Sequence, residues 1–448
     1  MKSIRIGNGC GFWGDNIDAP ILLAKDGELD YLTLEYLAEL TMSILAIQKQ
    51  RDPSLGYAKD FLSVLDRLCP ILQDQPNLKI VTNAGGMNPH SCAEQAVNIL
   101  NKAGLKHKVA AVSGDDLLPK LDELLASGHD LTNLDTGKPL APLRQRVVSA
   151  NAYLGAGPIV EALQGGSNIV ITGRVADASL MVGPALFEHG WAWDDWDRLS
   201  AATVAGHLIE CGAQVTGGLW MNWQETDLAN VGYPFVEIVN SGEFRVSKPQ
   251  STGGTVNTET VAEQLLYEVG DPVNYLTPDV IADFTSVSLQ QSAPDVVHVS
   301  GSKGKPAPDS YKVSLAYRDG YMAAGTLLLS GPMATAKAQV CGEMILSRLR
   351  RSGVELEQTL IECLGAGSCV PIADLRDDVP EVVLRVAVRD ANRDKVIRFS
   401  KEMAPLVTSG PPGVTGYTTG RPQVREVFAY WPTFIAKDVV QPQVEFFS

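Results

Sequence analysis

Five short apolar runs fall within the first 175 residues, and each ends in a cluster of small or polar residues. They are Ile4–Ile6 into Gly7–Gly14, Tyr31–Leu34 into Glu35, Lys79–Val81 into Asn83–Asn88, Lys108–Val112 into Ser113–Asp116, and Asn168–Ile171 into Thr172–Asp177. The segments between them have helical character, so the pattern reads as strand, loop, helix, repeated. The expected fold is α/β: an N-terminal doubly wound, mostly parallel sheet. In such a sheet the ligand crevice lies at the carboxyl ends of the strands, where these clusters converge.

A chain of 448 residues exceeds one compact core and points to two or three domains. The second half supplies a candidate boundary. From about Thr285 onward strand-like runs lengthen: Ser286–Leu289, Lys312–Tyr317, Gly325–Leu329, Val382–Val388 and Val424–Tyr430, with helical segments at Ala334–Arg351 and Arg393–Leu406. Asp319-Gly320 reads as a hairpin turn. Residues 1–285 are therefore expected to form the α/β domain with the site. Residues 286–448 should form an α+β domain with a mostly antiparallel sheet.

Charge and cysteine content narrow the partners. With 37 basic and 52 acidic residues the net charge is −15, which disfavours nucleic acid as a partner. No run approaches the ~20 apolar residues of a membrane helix. The start, Met1–Arg5, enters a strand without an apolar signal core, so a cytoplasmic protein is expected. The seven cysteines are scattered without a Cys-x-x-Cys pair and read as buried thiols.

Several clusters carry chemistry. Gly9-Cys10-Gly11-Phe12-Trp13-Gly14 matches the dinucleotide fingerprint, and Glu35 lies near the ribose-binding spacing. Phe12, Trp13 and Asp15 nevertheless make a bulky, acidic entry for a pyrophosphate, so a glycine turn is the preferred reading. In Thr172–Ser179, Arg174 is suited to gripping a carboxylate bidentately, and Asp177 either orients it or accepts a proton. The helix start at Gly155-Ala156-Gly157-Pro158 offers amides to an anion. Asn83, Gly85, Gly86 and Asn88 combine carboxamide donors for an enolate oxygen with room for close approach. Ser91 with Glu94 has the pattern of a capping box for the helix that follows.

His207 and Glu210, three apart on a helix, have the spacing of an acid/base couple. Ser251, Thr252 and Gly253, beside Lys248, could clamp a ligand from above. Asp115, Asp116 and Glu35 are the candidate divalent-metal ligands, although a solvated, helix-capping role suits the Asp pair better. No resident cofactor and no metal is expected.

Beyond these local readings, the chain resembles the acyclic terpene utilisation proteins. The resemblance rests on Gly11–Asp15, Asp30–Leu32 with Leu37–Glu39, Asn83–Pro89, Tyr153–Gly155, Thr172–Asp177, and Lys248–Thr255 with Glu263–Glu268, in order over residues 4 to 435. It implies a role in the degradation of branched acyl-CoA and organic acids. Together, residues and resemblance suggest a lyase or hydratase acting on an anionic carboxylic acid or acyl-CoA, with CoA entering only as part of the substrate. Arg174 and Gly155–Pro158 would form the clamp, Asn83 and Asn88 the enolate donors, and Asp177 or His207 the proton carrier. The alternative is a non-catalytic subunit or ligand-binding protein that recruits an acyl-CoA enzyme. A homo-oligomer is expected in either case.

Overall fold

A computed structural model describes residues 2–370, 374–416 and 420–448. The chain divides into two compact units, Met1–Ala316 with Tyr430–Ser448, and Tyr317–Ala429.

In the first unit the five early runs become β1 (Ser3–Asn8), β2 (Tyr31–Leu34), β3 (Lys79–Thr82), β4 (Val109–Ser113) and, after β5 (Val147–Ala152), β6 (Ile169–Thr172). They are followed by β7 (Phe235–Val239), β8 (Phe244–Ser247), β9 (Tyr275–Leu276), β10 (Ile281–Asp283), β11 (Ser288–Ala293), β12 (Val296–Ser300) and β13 (Lys303–Lys305). The helices are α1 (Ala19–Asp26), α2 (Glu39–Arg51), α3 (Lys59–Asp74), α4 (Pro89–Lys102), α5 (Leu121–Ala126), α6 (Gly157–Gln164), α7 (Ser179–His189), α8 (Trp196–Glu210) and α9 (Thr258–Leu266).

Strands β1, β2, β3, β6 and β4 pair side by side, all parallel. Every residue of β2 and β6 is buried, as expected for strands covered on both faces. The α/β class holds, but the sheet is wider and more mixed than the sequence suggests. Strands β7, β8, β12 and β11 continue it antiparallel at one edge, and β19 (Gln443–Phe447) closes the other against β4. The expected boundary near residue 285 therefore falls inside the first unit. The change of texture there marks a hairpin added to the same sheet, not a new core.

Two further expectations are corrected. Helix α4 starts at Pro89 and is capped by Asn88, whose side chain accepts from Ser91 N at 3.4 Å, so Ser91 lies inside the helix. The Asp319-Gly320 turn does not reverse the chain, because β14 runs unbroken from Ser310 to Ser330. Gly320 takes φ +87° within the strand, and the Arg389 side chain donates to the Asp319 carbonyl there (2.8 and 3.1 Å).

The second unit, Tyr317–Ala429, has helices on a mostly antiparallel sheet. Its part of β14 pairs antiparallel with β16 (Glu381–Asp390) and β17 (Val414–Gly416), and β15 (Gln358–Leu364) pairs with β16. β18 (Arg425–Ala436) follows in the chain. α10 (Ala334–Arg351), α11 (Arg393–Ser400) and α12 (Leu406–Ser409) supply the helical side of a core that includes Leu327, Cys341, Ile345, Leu384, Val386 and Phe399. Among the described residues no helix is long and apolar enough to cross a membrane.

Candidate active site

The parallel order brings the loops after β1, β2 and β6 to one end of the sheet, and a cavity of about 1010 Å³ opens there. Gly11, Phe12 and Asp15 line it from the first loop, Glu35 and Leu37–Glu39 from the second, and Arg174 and Ala176–Ala178 from the third. The end of α8 adds His207, Glu210 and Cys211, the segment from Tyr267 to Pro278 forms another wall, and Tyr153 and Lys312 complete the inner surface. All of these residues belong to the first unit.

Arg174 is the hinge of the arrangement. Its side chain is 2% exposed. One guanidinium nitrogen donates to Asp177 Oδ1 (2.8 Å) and to the Leu37 carbonyl (3.1 Å), with Glu35 at 3.9 Å. The guanidinium also lies 4.1 Å from the centre of the Tyr153 ring. One nitrogen of the group foreseen as an anion clamp is thus engaged within the protein, by Asp177 and the Leu37 carbonyl. Its Nε finds no acceptor.

The carboxylates around it differ in what they can do. Burial pushes Asp177 up to about 6, with the negative Glu210 and Glu39 adding to the effect and Arg174 opposing it. Its side chain keeps a third of its surface open, so the carboxyl can reach a bound molecule. Glu35 is raised well above the usual range by burial and by Asp177. It is also fully engaged: Leu37 N donates to Oε1 at 2.7 Å, and the Asn83 amide donates to Oε2. Glu39 lies below the usual carboxylate range: burial works against its charge, but Arg174 and Lys312 outweigh it. Glu39 accepts from the Tyr153 hydroxyl at 2.8 Å and lies 3.5 Å from Lys312 Nζ.

His207 and Glu210 meet as their spacing foretold, Nδ1 to Oε1 at 3.0 Å. Nε2 faces the Gln264 carbonyl at 2.9 Å. With an acceptor at each nitrogen the doubly protonated ring satisfies both. Burial disfavours that charge, yet Glu210 and the Gln264 carbonyl hold the ring above its ordinary value. The ring has no vacant nitrogen, and it holds Glu210 in place on the cavity wall. Cys211 is pushed up to about 12 by burial and by Glu210, which leaves its thiol inert.

Several anticipated ligand contacts lie away from the cavity. Asn83 buttresses Glu35 and accepts from Tyr36 N (2.8 Å), and Asn88 donates to the Pro53 and Leu55 carbonyls (2.9 Å each) while capping α4. Gly85 packs where a Cβ would stand 2.6 Å from the Thr172 carbonyl, and Gly86 adopts φ +51° against Leu45. The helix start at Gly155 and Gly157 does attract a carboxylate, but an internal one. Asp279 Oδ1 accepts from Ala156 N at 2.8 Å, Oδ2 accepts from Ser179 at 2.6 Å, and a Cβ on Gly155 would collide with it.

The loop read as a lid closes on itself: Thr252 donates to the Pro249 carbonyl, Gly253 N to the Asn230 carbonyl, and Ser251 to Asp26. Lys248 donates to the Thr252 carbonyl and pairs with Asp295 at 3.2 Å. In the glycine-rich first loop Asp15 accepts from Gly11 N (2.8 Å) and from the Tyr233 hydroxyl (2.5 Å), so a side-chain carboxylate takes an amide that a pyrophosphate would need. Asp115 and Asp116 face apart. Asp115 Oδ2 accepts from Arg174 N (2.9 Å) and Asn151 (2.8 Å), whereas Asp116 caps the turn at Leu118.

Tyr153, Glu39, Lys312, Tyr275 and Glu268 line the cavity but were not singled out as site residues. Glu39, Tyr153 and Glu268 lie within the strings that carry the family resemblance, which was the available signal. Lys312 carries no such mark, since a lysine on an alternating strand looks like any solvated position.

The family model for acyclic terpene utilisation family protein AtuA matches residues 4–446. The chain belongs to that family, and the membership fits a catabolic role. No curated protein and no solved structure matches it.

Proposed function

We propose that the first unit is an enzyme of branched acyl or organic-acid catabolism, a lyase or hydratase that adds or removes water beside the carbonyl of an acid or acyl thioester. Asp177 is the observation that carries this reading. Its carboxyl stands on the cavity wall, is oriented by Arg174 and titrates at about 6, so it exchanges a proton near neutral pH. Arg174 and Lys312 supply positive charge for a developing enolate oxygen.

The wall also bears Asp15, Glu35, Glu39, Asp177, Glu210, Glu268 and Asp271. So many carboxyl groups make a poor host for the phosphates of CoA. The acyl end alone would therefore enter the cavity, with the CoA phosphates outside it.

The test is hydration of branched 2-enoic acids and of their pantetheine and CoA thioesters, followed by loss of enoyl absorbance. The expected result is turnover in which pantetheine and CoA thioesters serve equally and D177N is about 10²–10⁴-fold slower. A folded protein that turns over none of these compounds would be a ligand-binding subunit instead.

A further inference from the structure

Adding water across a double bond takes two proton transfers, one at the water oxygen and one at the α-carbon, and two positioned groups can serve both at once. We propose that Tyr153, with Glu39 behind it, is the second proton-transfer group of this site and works in concert with Asp177. The proposal rests on the hydratase reading above.

Its basis is geometric. Tyr153 and Asp177 both lie against one guanidinium: Arg174 donates to Asp177 at 2.8 Å and stacks 4.1 Å from the Tyr153 ring centre. A substrate beside Arg174 is within reach of both. The Tyr153 hydroxyl already donates to Glu39 Oε1 at 2.8 Å, and Lys312 Nζ lies 3.5 Å from that carboxylate and 4.8 Å from the Tyr153 ring centre. A phenol between two cations and bonded to an ionised carboxylate has a defined route for a proton. Among the other candidates near Arg174, both nitrogens of His207 are engaged and Glu35 is held by Asn83 and Leu37 N. Tyr233 is bonded to a carboxylate in the same way, but that carboxylate is Asp15 of the first loop, which also takes the Gly11 amide.

In the hydration direction the water oxygen forms the C–O bond at the β-carbon. Its proton passes to Tyr153 Oη while the phenolic proton passes to Glu39. The π pair moves to the α-carbon and takes the proton of the Asp177 carboxyl, so water is added and the enzyme holds one proton on Glu39 in place of Asp177. That proton returns through solvent, to which the side chains of Glu39 (42% exposed) and Asp177 (33%) are both open. Elimination is the reverse.

Two rates separate this role from a structural one: hydration of an enoyl substrate, and exchange of the α-hydrogen of its saturated analogue in D₂O, which needs the α-carbon base alone. For Y153F, hydration is expected to fall at least about 100-fold and exchange less than about tenfold, whereas D177N lowers both together. E39Q should follow Y153F in direction, and it carries the test on the same criterion if Y153F fails to fold. Equal loss of both rates in Y153F would mean that the ring merely supports Arg174 and would overturn the proposal. So would hydration at the parent rate. A parent chain without turnover on any acyl substrate would sink the hydratase reading itself, a result distinct from an active parent indifferent to Y153F.

Discussion

Two aspartates, Asp177 a third exposed and Asp115 buried, separate chemistry from stability at the level of single residues. Asp177 should control rate. Hydration uses its protonated form, so the rate falls as pH rises through about 6, and elimination uses the ionised form, so that rate rises through the same value. D177N should abolish the inflection in both profiles, measured as kcat/KM against pH. Asp115 should control stability. Burial raises its carboxyl from 3.8 to about 7, so the folded state binds the proton more tightly than the unfolded chain does. Its contribution is fully present below about pH 4 and is lost progressively as pH rises through 7. D115N keeps an oxygen for Arg174 N and Asn151, and it should flatten the fall in unfolding free energy between about pH 4 and about pH 7, read by urea denaturation. The sequence marked both positions as carboxylates after strands. It could not tell them apart, because the difference is made by Arg174 and Asn151, which come from other strand ends.

Among the elements, the loops at the strand ends were readable and the helix starts only half so. Apolar runs broken by glycine and asparagine placed β1, β2, β3, β4 and β6 within a residue or two, since buried parallel strands need uninterrupted apolar sequence. The helix start at Gly155–Pro158 was expected to receive a ligand's anion, but the carboxylate found there is Asp279, which arrives from the arm before β10 and joins the starts of α6 and α7. Asp279→Ala should leave Ala156 N and the Ser179 hydroxyl unpaired in a buried place and cost about 2–3 kcal/mol, seen as a lower denaturation midpoint. Asp279→Asn, which retains one acceptor, should cost less. Gly173→Ala should also destabilise, because its Cβ would stand 2.3 Å from Asp115 Oδ1.

For the whole molecule, two compact units with separate cores predict more than one thermal transition. Calorimetry should give a calorimetric enthalpy above the van't Hoff value, and an acyl ligand should raise only the transition of the first unit. The boundary was misplaced because strand periodicity looks the same whether a hairpin extends an existing sheet or begins another. The β11–β12 hairpin does the former, and β19 returns from the far end of the chain to the first sheet.

The sequence alone determined the α/β class, the strands of the parallel core and the end of the sheet at which the cavity opens, because these follow from local patterns of apolar, turn and capping residues. It also marked Arg174, Asp177, His207 and Glu210. Only the tertiary structure decided what each of them is free to do. Availability depends on partners far along the chain: Glu35 for Asn83, Gln264 for His207 and Asp279 for the Gly155 turn. A hydrogen-bonding group that satisfies its needs within the protein has none left for a ligand, and that balance is struck across the fold.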